Sequence, residues 1–241
     1  MTDGGTLAVE LDARLAALGT TARADRERAY LKSRLRHHGT RVPDIRAEVR
    51  ALLRSRPNLD RATLLELVED LWRRDVHEDR MAAAFLLAAR VELLQPDDLD
   101  VVERLLRQAE TWAIVDTLAP AVVGPMADSN PGLESRIDGW VDDPDLWMRR
   151  SSLLRHLGPV RRGNEDLSAF APKADRLIDD REFFVRKAMG WVLREAARHD
   201  PEAVAAWLEP RVSRLSGVTL REALKPLPEP VASRLRALRA G

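Results

Sequence analysis

Apolar residues recur at spacings of three and four along this chain from near its start to its end, and no stretch alternates with a period of two. A 3.6-residue period buries one face of a helix, so the pattern predicts helices and argues against strands. Stops are regular. Gly39 with Pro43, Pro57 with Asn58, Pro96 with Asp97, Pro120, Gly124-Pro125, Asn130-Pro131, Asp143-Pro144, Gly158-Pro159 and Asp200-Pro201 punctuate the pattern. They divide it into helices expected near 7–18, 23–37, 43–54, 60–73, 78–93, 97–109, 112–122, 132–140, 145–157, 166–178, 182–198, 201–213 and 217–224. Connections this short imply neighbouring helices packed antiparallel. The first residues and the segment PLPEP (226–230) are expected to fray.

Three segments echo one another: DRMAAAFLLAA (79–89), DLWMRRSSLLRHL (145–157) and EFFVRKAMGWVLREAA (182–197). Superposed, they put Ala82, Arg150 and Lys187 in one column. A further copy near residue 117 brings the spacing to about 35, close to the period of HEAT-like helix pairs. The expected fold class is therefore all-α, an α-solenoid of antiparallel helix pairs with a concave surface.

The chain has 241 residues and no cysteine. Disulfides and thiolate metal sites are excluded, and a reducing cytoplasm is the expected compartment. No basic N-terminal region precedes an apolar run, and no run of about 18 apolar residues occurs, so neither a signal peptide nor a membrane span is expected. His37 and His38 adjoin, but adjacent residues point different ways, and no metal or cofactor is expected. Without a sustained heptad seam, a monomer is expected.

Formal net charge is zero, yet charge is unevenly spread. Residues 23–56 hold eleven Arg/Lys against four acids, 57–148 eight against twenty, and 149–198 twelve against seven. Two basic segments thus flank an acidic one, and most of the positive charge is arginine. A GC-rich genome accounts for that preference; so does phosphate contact, which suits the guanidinium fork.

Three helical stretches carry chemistry-bearing residues out of pattern. In QAETWAIVDTLAPAVVG (108–124), Trp112 and Asp116 share a face at i,i+4, and Asp116 is the only charge between Glu110 and Asp128. It is either a working carboxylate or one exposed or capping a neighbour. In DPDLWMRRSSLLRHL, Arg150 lies within an apolar stripe of Leu146, Trp147, Leu153 and Leu154, whereas Arg149 faces water with Ser152 and His156. An inward arginine requires an acid or a phosphate. In FFVRKAMGWVLREAARHDP, Trp191 departs from the apolar face of Val185, Met189, Leu193 and Ala196 and sits among Lys187, Arg194 and Arg198. It packs on a neighbouring helix or meets a ligand beside a cationic stripe.

The ordered set TWAIVD (111–116), LWMRR (146–150) and EFFVRKAMGWVLRE (182–195), with HHGTRVPDIR (37–46) and TLREALKPL (219–227), resembles the DNA alkylation repair family of AlkD-like glycosylases. The resemblance runs from about residue 23 to 227, as one HEAT-like domain after an N-terminal helical segment (1–22) and before a C-terminal tail or short helix (228–241). It implies removal of alkylated purines from double-stranded DNA. The family's catalytic Asp falls on Asp116, its first Trp on Trp112, its active-site Arg on Arg150 and its second Trp on Trp191. Tyr30 in RAYLK matches a Tyr beside the DNA, with Lys32 next to it. Arg149, Lys187, Arg194 and Arg198 are then expected to meet the DNA backbone. Thr111 and Ala113 depart from the family pattern, where an aromatic and an acid often stand, which bears on substrate range. No lysine adjoins the Asp to act as a Schiff-base nucleophile, so monofunctional hydrolysis is expected. A nucleoid-associated bacterial enzyme follows from the resemblance. The rivals are a non-catalytic HEAT-like module that binds structured DNA, and a protein-interaction scaffold.

Overall fold

The computed structural model describes residues 3–163 and 167–240. Among these the chain is all-helical, as the period predicts; the only pairing of extended backbone is an isolated bridge between Arg36 and Val76. Two compact units divide at Val122/Val123. The first contains α1 (Asp3–Leu18), α2 (Thr21–Leu31), α3 (Val42–Ser55), α4 (Arg61–Trp72), α5 (His77–Ala89), α6 (Leu99–Arg107) and α7 (Trp112–Leu118). The second contains α8 (Gly124–Ser129), α9 (Glu134–Asp138), α10 (Leu146–Leu154), α11 (Leu157–Arg161), α12 (Ala171–Arg176), α13 (Phe183–Ala196), α14 (Pro201–Leu208), α15 (Gly217–Ala223) and α16 (Glu229–Ala240). No helix among the described residues is long and apolar enough to cross a membrane.

Helix starts follow side-chain chemistry. Asp60 accepts from the Thr63 N–H at 2.8 Å, Asp145 from Trp147 at 2.7 Å, Asp200 from Ala203 at 2.8 Å and Ser216 from Thr219 at 3.1 Å. Each oxygen satisfies a first-turn N–H that has no partner within the helix. In the first unit α5 is the central element, packed against α1, α3, α4 and α7, and it is buried from His77 through Leu87. In the second unit α13 has that place, touched by α10, α11, α14 and α15.

Five expectations change. The helix expected over 23–37 ends at Leu31, because Lys32 turns left-handed (φ 52°) and its N–H folds back to Ala29. The chain then runs extended, and the buried Glu78 carboxylate collects the N–H groups of His38, Gly39 and Thr40 at 2.9, 2.6 and 3.2 Å. Gly39 is needed there: its φ is +79°, and a Cβ would lie 2.2 Å from the Thr20 carbonyl oxygen. The helix expected over 145–157 stops at Leu154 and restarts as α11, since Pro159 has no N–H for the Arg155 carbonyl. The first residue of the helix expected at 166–178 lies outside the described residues, and α12 occupies only Ala171–Arg176. Inside the proline-rich segment expected to fray, α16 starts at Glu229, takes the helical alternative for the C-terminal segment and buries Ala232 and Leu235. The repeat column also separates: Ala82 and Arg150 are buried, whereas Lys187 is exposed.

His77, at the start of α5, is buried and stacked on His37 at 4.6 Å between ring centroids. Burial first, then His37, lowers its pKa to about 4, with Glu78 opposing and Arg80 assisting. Between pH 6.5 and 4 the unfolded chain therefore binds a proton that folded His77 refuses, so this term loses stability as pH falls. Other groups titrate in the same range, so the comparison is between wild type and His77→Gln in urea unfolding at pH 4.5–7.5. Wild type should lose up to about 1.4 kcal/mol per pH unit relative to the variant. A second expectation concerns Gly190, where a Cβ would stand 2.9 Å from the Thr219 carbonyl and 3.0 Å from its Cα. Gly190→Ala should force α13 from α15 and cost about 1–3 kcal/mol in the same assay.

Candidate active site

In the first unit the Trp112/Asp116 pair is positioned by the loop that precedes α7. Arg80 on α5 donates to the Gln108 carbonyl at 2.6 Å and to Asp75 at 2.5 Å. The Trp72 indole N–H holds the Gln108 side chain at 3.0 Å. Glu110 then turns left-handed (φ 59°), its carboxylate 3.3 Å from Arg34, and Trp112 opens α7. Ile114, Val115 and Leu118 bury one face of α7. Trp112 and Asp116, one turn apart on another side, stay half-buried.

Tyr30, 74% exposed at the end of α2, meets the Trp112 ring edge-to-face at 6.0 Å. Residues 82 positions apart in sequence thus form one aromatic ledge a helical turn from a carboxylate. Lys32, which ends α2, is exposed nearby in the chain. Thr111 is buried and its hydroxyl lacks a hydrogen-bond partner, whereas Ala113 is half-buried. The helix widens to π geometry over Ala119–Val123, three residues after Asp116. Pro120 has no N–H to give the Asp116 carbonyl four residues back, which removes one α-helical hydrogen bond. Such widenings recur where helices carry function.

In the second unit Arg150 points inward, as expected, and is 1% exposed. It donates to the Phe184 carbonyl and lies 5.8 Å from the Phe184 ring centroid, which ties α10 to the start of α13. Trp147 packs on Phe184 at 5.3 Å. Lys187 is exposed and sits 6.0 Å from the ring of Phe183, itself 54% exposed.

Two expectations about arginines are corrected. Arg149 does not face water with Ser152 and His156: both of those are buried. Its guanidinium is bound to Asp180 at 2.7 Å and to the Asp143 and Pro144 carbonyls at 2.8 and 2.9 Å. Nor is the stripe around Trp191 an uncompensated positive face. Glu195, one turn beyond Trp191 and buried, accepts its indole N–H at 3.1 Å and Arg198 at 2.6 Å, with Arg161 and Arg194 at 3.7 and 3.5 Å. Arg194 also donates to Glu222 on α15. Arg161 lies over the Trp191 ring, 5.4 Å from its centroid. The i,i+4 spacing of Trp191 and Glu195 signals that bond; Glu222 and Arg161 come from other helices and leave no such local sign.

The sequence profile of a family described as DNA alkylation repair enzyme matches residues 11–227. The chain belongs to that family. Membership carries a role in the repair of alkylated DNA. The solved structure of a protein titled "Predicted DNA alkylation repair enzyme from Enterococcus faecalis" is similar over 88% of this chain and 97% of that one, with a TM-score of 0.77 and 21% identity. At that identity the likeness is one of fold. No curated protein matches significantly.

Glu195→Gln should keep an acceptor for Trp191 but withdraw the charge that binds three arginines. Stability should fall by about 1–3 kcal/mol, while duplex DNA binds more tightly and with steeper salt dependence. Thermal unfolding and fluorescence anisotropy at two ionic strengths read the two effects.

Proposed function

We propose that this protein is a monofunctional DNA glycosylase that hydrolyses the N-glycosidic bond of cationic alkylpurines, such as 3-methyladenine and 7-methylguanine, in duplex DNA. The observation that carries the reading is Asp116: a half-exposed carboxylate one helical turn from Trp112, whose ring is buttressed by Tyr30.

An N3- or N7-alkylated purine is already positively charged and leaves as a neutral base, so departure needs no general acid. As the C1′–N bond breaks, positive charge moves to the deoxyribose as an oxocarbenium ion. Asp116 stabilises that cation and orients the attacking water. The water oxygen bonds to C1′, and its proton passes through the carboxylate to solvent. The Trp112 face attracts the same developing charge, worth about 0.5–2 kcal/mol, and packs against sugar C–H groups. Tyr30 keeps that ring at its angle.

Phosphate contacts fall chiefly to Lys32 and Lys187, which are exposed. Arg149, Arg194 and Arg198 spend charge on Asp180, Glu222 and Glu195 and contribute less. Arg150, buried against Phe184, acts by positioning the start of α13, which presents Lys187 and Trp191. Trp191, one turn from Lys187 and half-buried, is held under Arg161 and bonded to Glu195.

Incubation with methylated duplex DNA, followed by chromatography of released bases, tests the proposal. Wild type should release 3-methyladenine and 7-methylguanine. Asp116→Asn should lose excision by roughly a hundredfold or more while retaining DNA affinity, and Trp112→Ala should lose about tenfold. No release above background at micromolar enzyme would leave a non-catalytic DNA-binding module; an unchanged rate in Asp116→Asn would remove that residue from the mechanism.

A further inference from the structure

Away from Asp116 and Trp112, three side chains from three elements of the first unit converge. Asp12 comes from α1, His38 from the extended segment after α2, and Asp79 from the first turn of α5. A metal-ligating atom from each lies within 4.8 Å of the others. His38 Nε2 is 2.8 Å from one Asp12 oxygen, and Arg74 Nη1 donates to the other at 3.0 Å. Asp79 is fully buried, and neither of its oxygens meets a hydrogen-bond donor.

A buried carboxylate without a donor is costly and calls for a cation or a proton. The Asp12 carboxylate faces it, and the nearby Arg74 guanidinium is bound to Asp12. The cluster is short of positive charge. Its frame is nevertheless firm. Leu11 and Leu15 bury the face of α1 beside Asp12, Glu78 holds the segment of His38 by its backbone, and α5 is buried throughout its first turns.

We propose that Asp12, His38 and Asp79 bind one divalent transition cation of the Zn²⁺ or Mn²⁺ class. One imidazole nitrogen with two carboxylates is a borderline donor set; calcium would require about six to eight oxygens. Zn–N and Zn–O bonds run about 2.0–2.2 Å, so ligand atoms stand roughly 3–4 Å apart, and a modest contraction of the cluster brings all three within reach. Arg74 orients the Asp12 carboxylate from behind, as outer partners of metal-binding carboxylates do. His38 and Asp12 keep some exposure, which leaves an entry path and room for water ligands. The bound ion clamps α1 to α5 and to the segment between α2 and α3.

The neighbouring set of Glu27, His37 and Glu78 has similar spacing but a different electronic state. Both Glu78 oxygens already accept backbone N–H groups. It therefore serves as the internal control.

The experiment uses the whole protein stripped with a chelator and then dialysed. Mn²⁺ is titrated by the loss of its free electron-paramagnetic signal, Zn²⁺ by calorimetry and Mg²⁺ for comparison, with thermal unfolding alongside. The expected result is one equivalent of Mn²⁺ or Zn²⁺ and a Tm that rises by several degrees with metal, because only the folded state binds. Asp79→Asn and His38→Gln should each weaken binding at least tenfold, while His37→Gln leaves it unchanged. Circular dichroism shows that each variant folds; should Asp79→Asn fail to, His38→Gln and Asp12→Asn decide the matter. The proposal is overturned if no ion binds at 1 mM, which would leave Asp12 and Asp79 sharing a proton. It is equally overturned if binding survives Asp79→Asn and His38→Gln, if it is lost in His37→Gln, or if Mg²⁺ binds in preference. Base release from DNA is a separate measurement that none of these outcomes decides.

Discussion

Arginine–carboxylate pairs that reach across an intervening helix, from one repeat to the next, hold each unit in register. Arg61–Asp98 and Arg104–Glu69 do so in the first; Arg176–Asp142, Arg211–Asp175 and Arg214–Asp179 do so in the second. Every one of these joins residues 34 to 37 positions apart. Each helix pair has one apolar stripe that it cannot bury alone, so it leans on the next pair, and the polar margins of that contact are closed by guanidinium forks. Exposed pairs of this kind add little stability individually. Asp98, buried and held by two nitrogens of Arg61, and the side chain of Asp180, held by Arg149, are better placed because removal of the arginine would leave a carboxylate away from water without its charge partner.

That use of arginine changes the meaning of the charge distribution. A run of arginines reads as a phosphate-binding face when only spacing is known, because partners distant in sequence are invisible to a helical wheel. Around Trp191 the wheel finds Lys187, Arg194 and Arg198 and misses Glu222 and Arg161, which arrive from α15 and α11. Lys187 stays exposed beside the Phe183 ring, whereas Arg194 and Arg198 are held by Glu222 and Glu195. The same holds for Arg149: its position beside an apolar stripe predicts solvent, but Asp180 and two carbonyls capture it.

The helices were legible because burial of a 3.6-residue stripe is a local property of the sequence, and most of their ends follow from proline, glycine and capping side chains. Apart from the break that Pro159 makes after Leu154, the boundaries that differ have non-local causes. The segment after Leu31 leaves the helix because a glutamate some 40 residues later collects its backbone N–H groups. α16 forms past two prolines because Ala232 and Leu235 find a surface to bury. Trp112 and Asp116 were legible as a pair from their i,i+4 spacing; that Tyr30 props the tryptophan ring was not, since α2 and α7 are brought together only by packing.

By itself, then, the sequence determined the helical class, the approximate repeat, the inward arginine at 150 and the carboxylate one turn from a tryptophan, all of which depend on residues within a few turns of one another. Tertiary structure decided which charges remain available to a ligand and which carboxylates are left without a donor. Asp79 makes the point: on the wheel it is an ordinary first-turn acid, stabilised by the helix dipole. Only the arrival of α1 and of the segment carrying His38 excludes water from it and sets Asp12 and an imidazole in front of it. Burial and long-range pairing set the energy of a charge, and neither is a function of its neighbours in the chain.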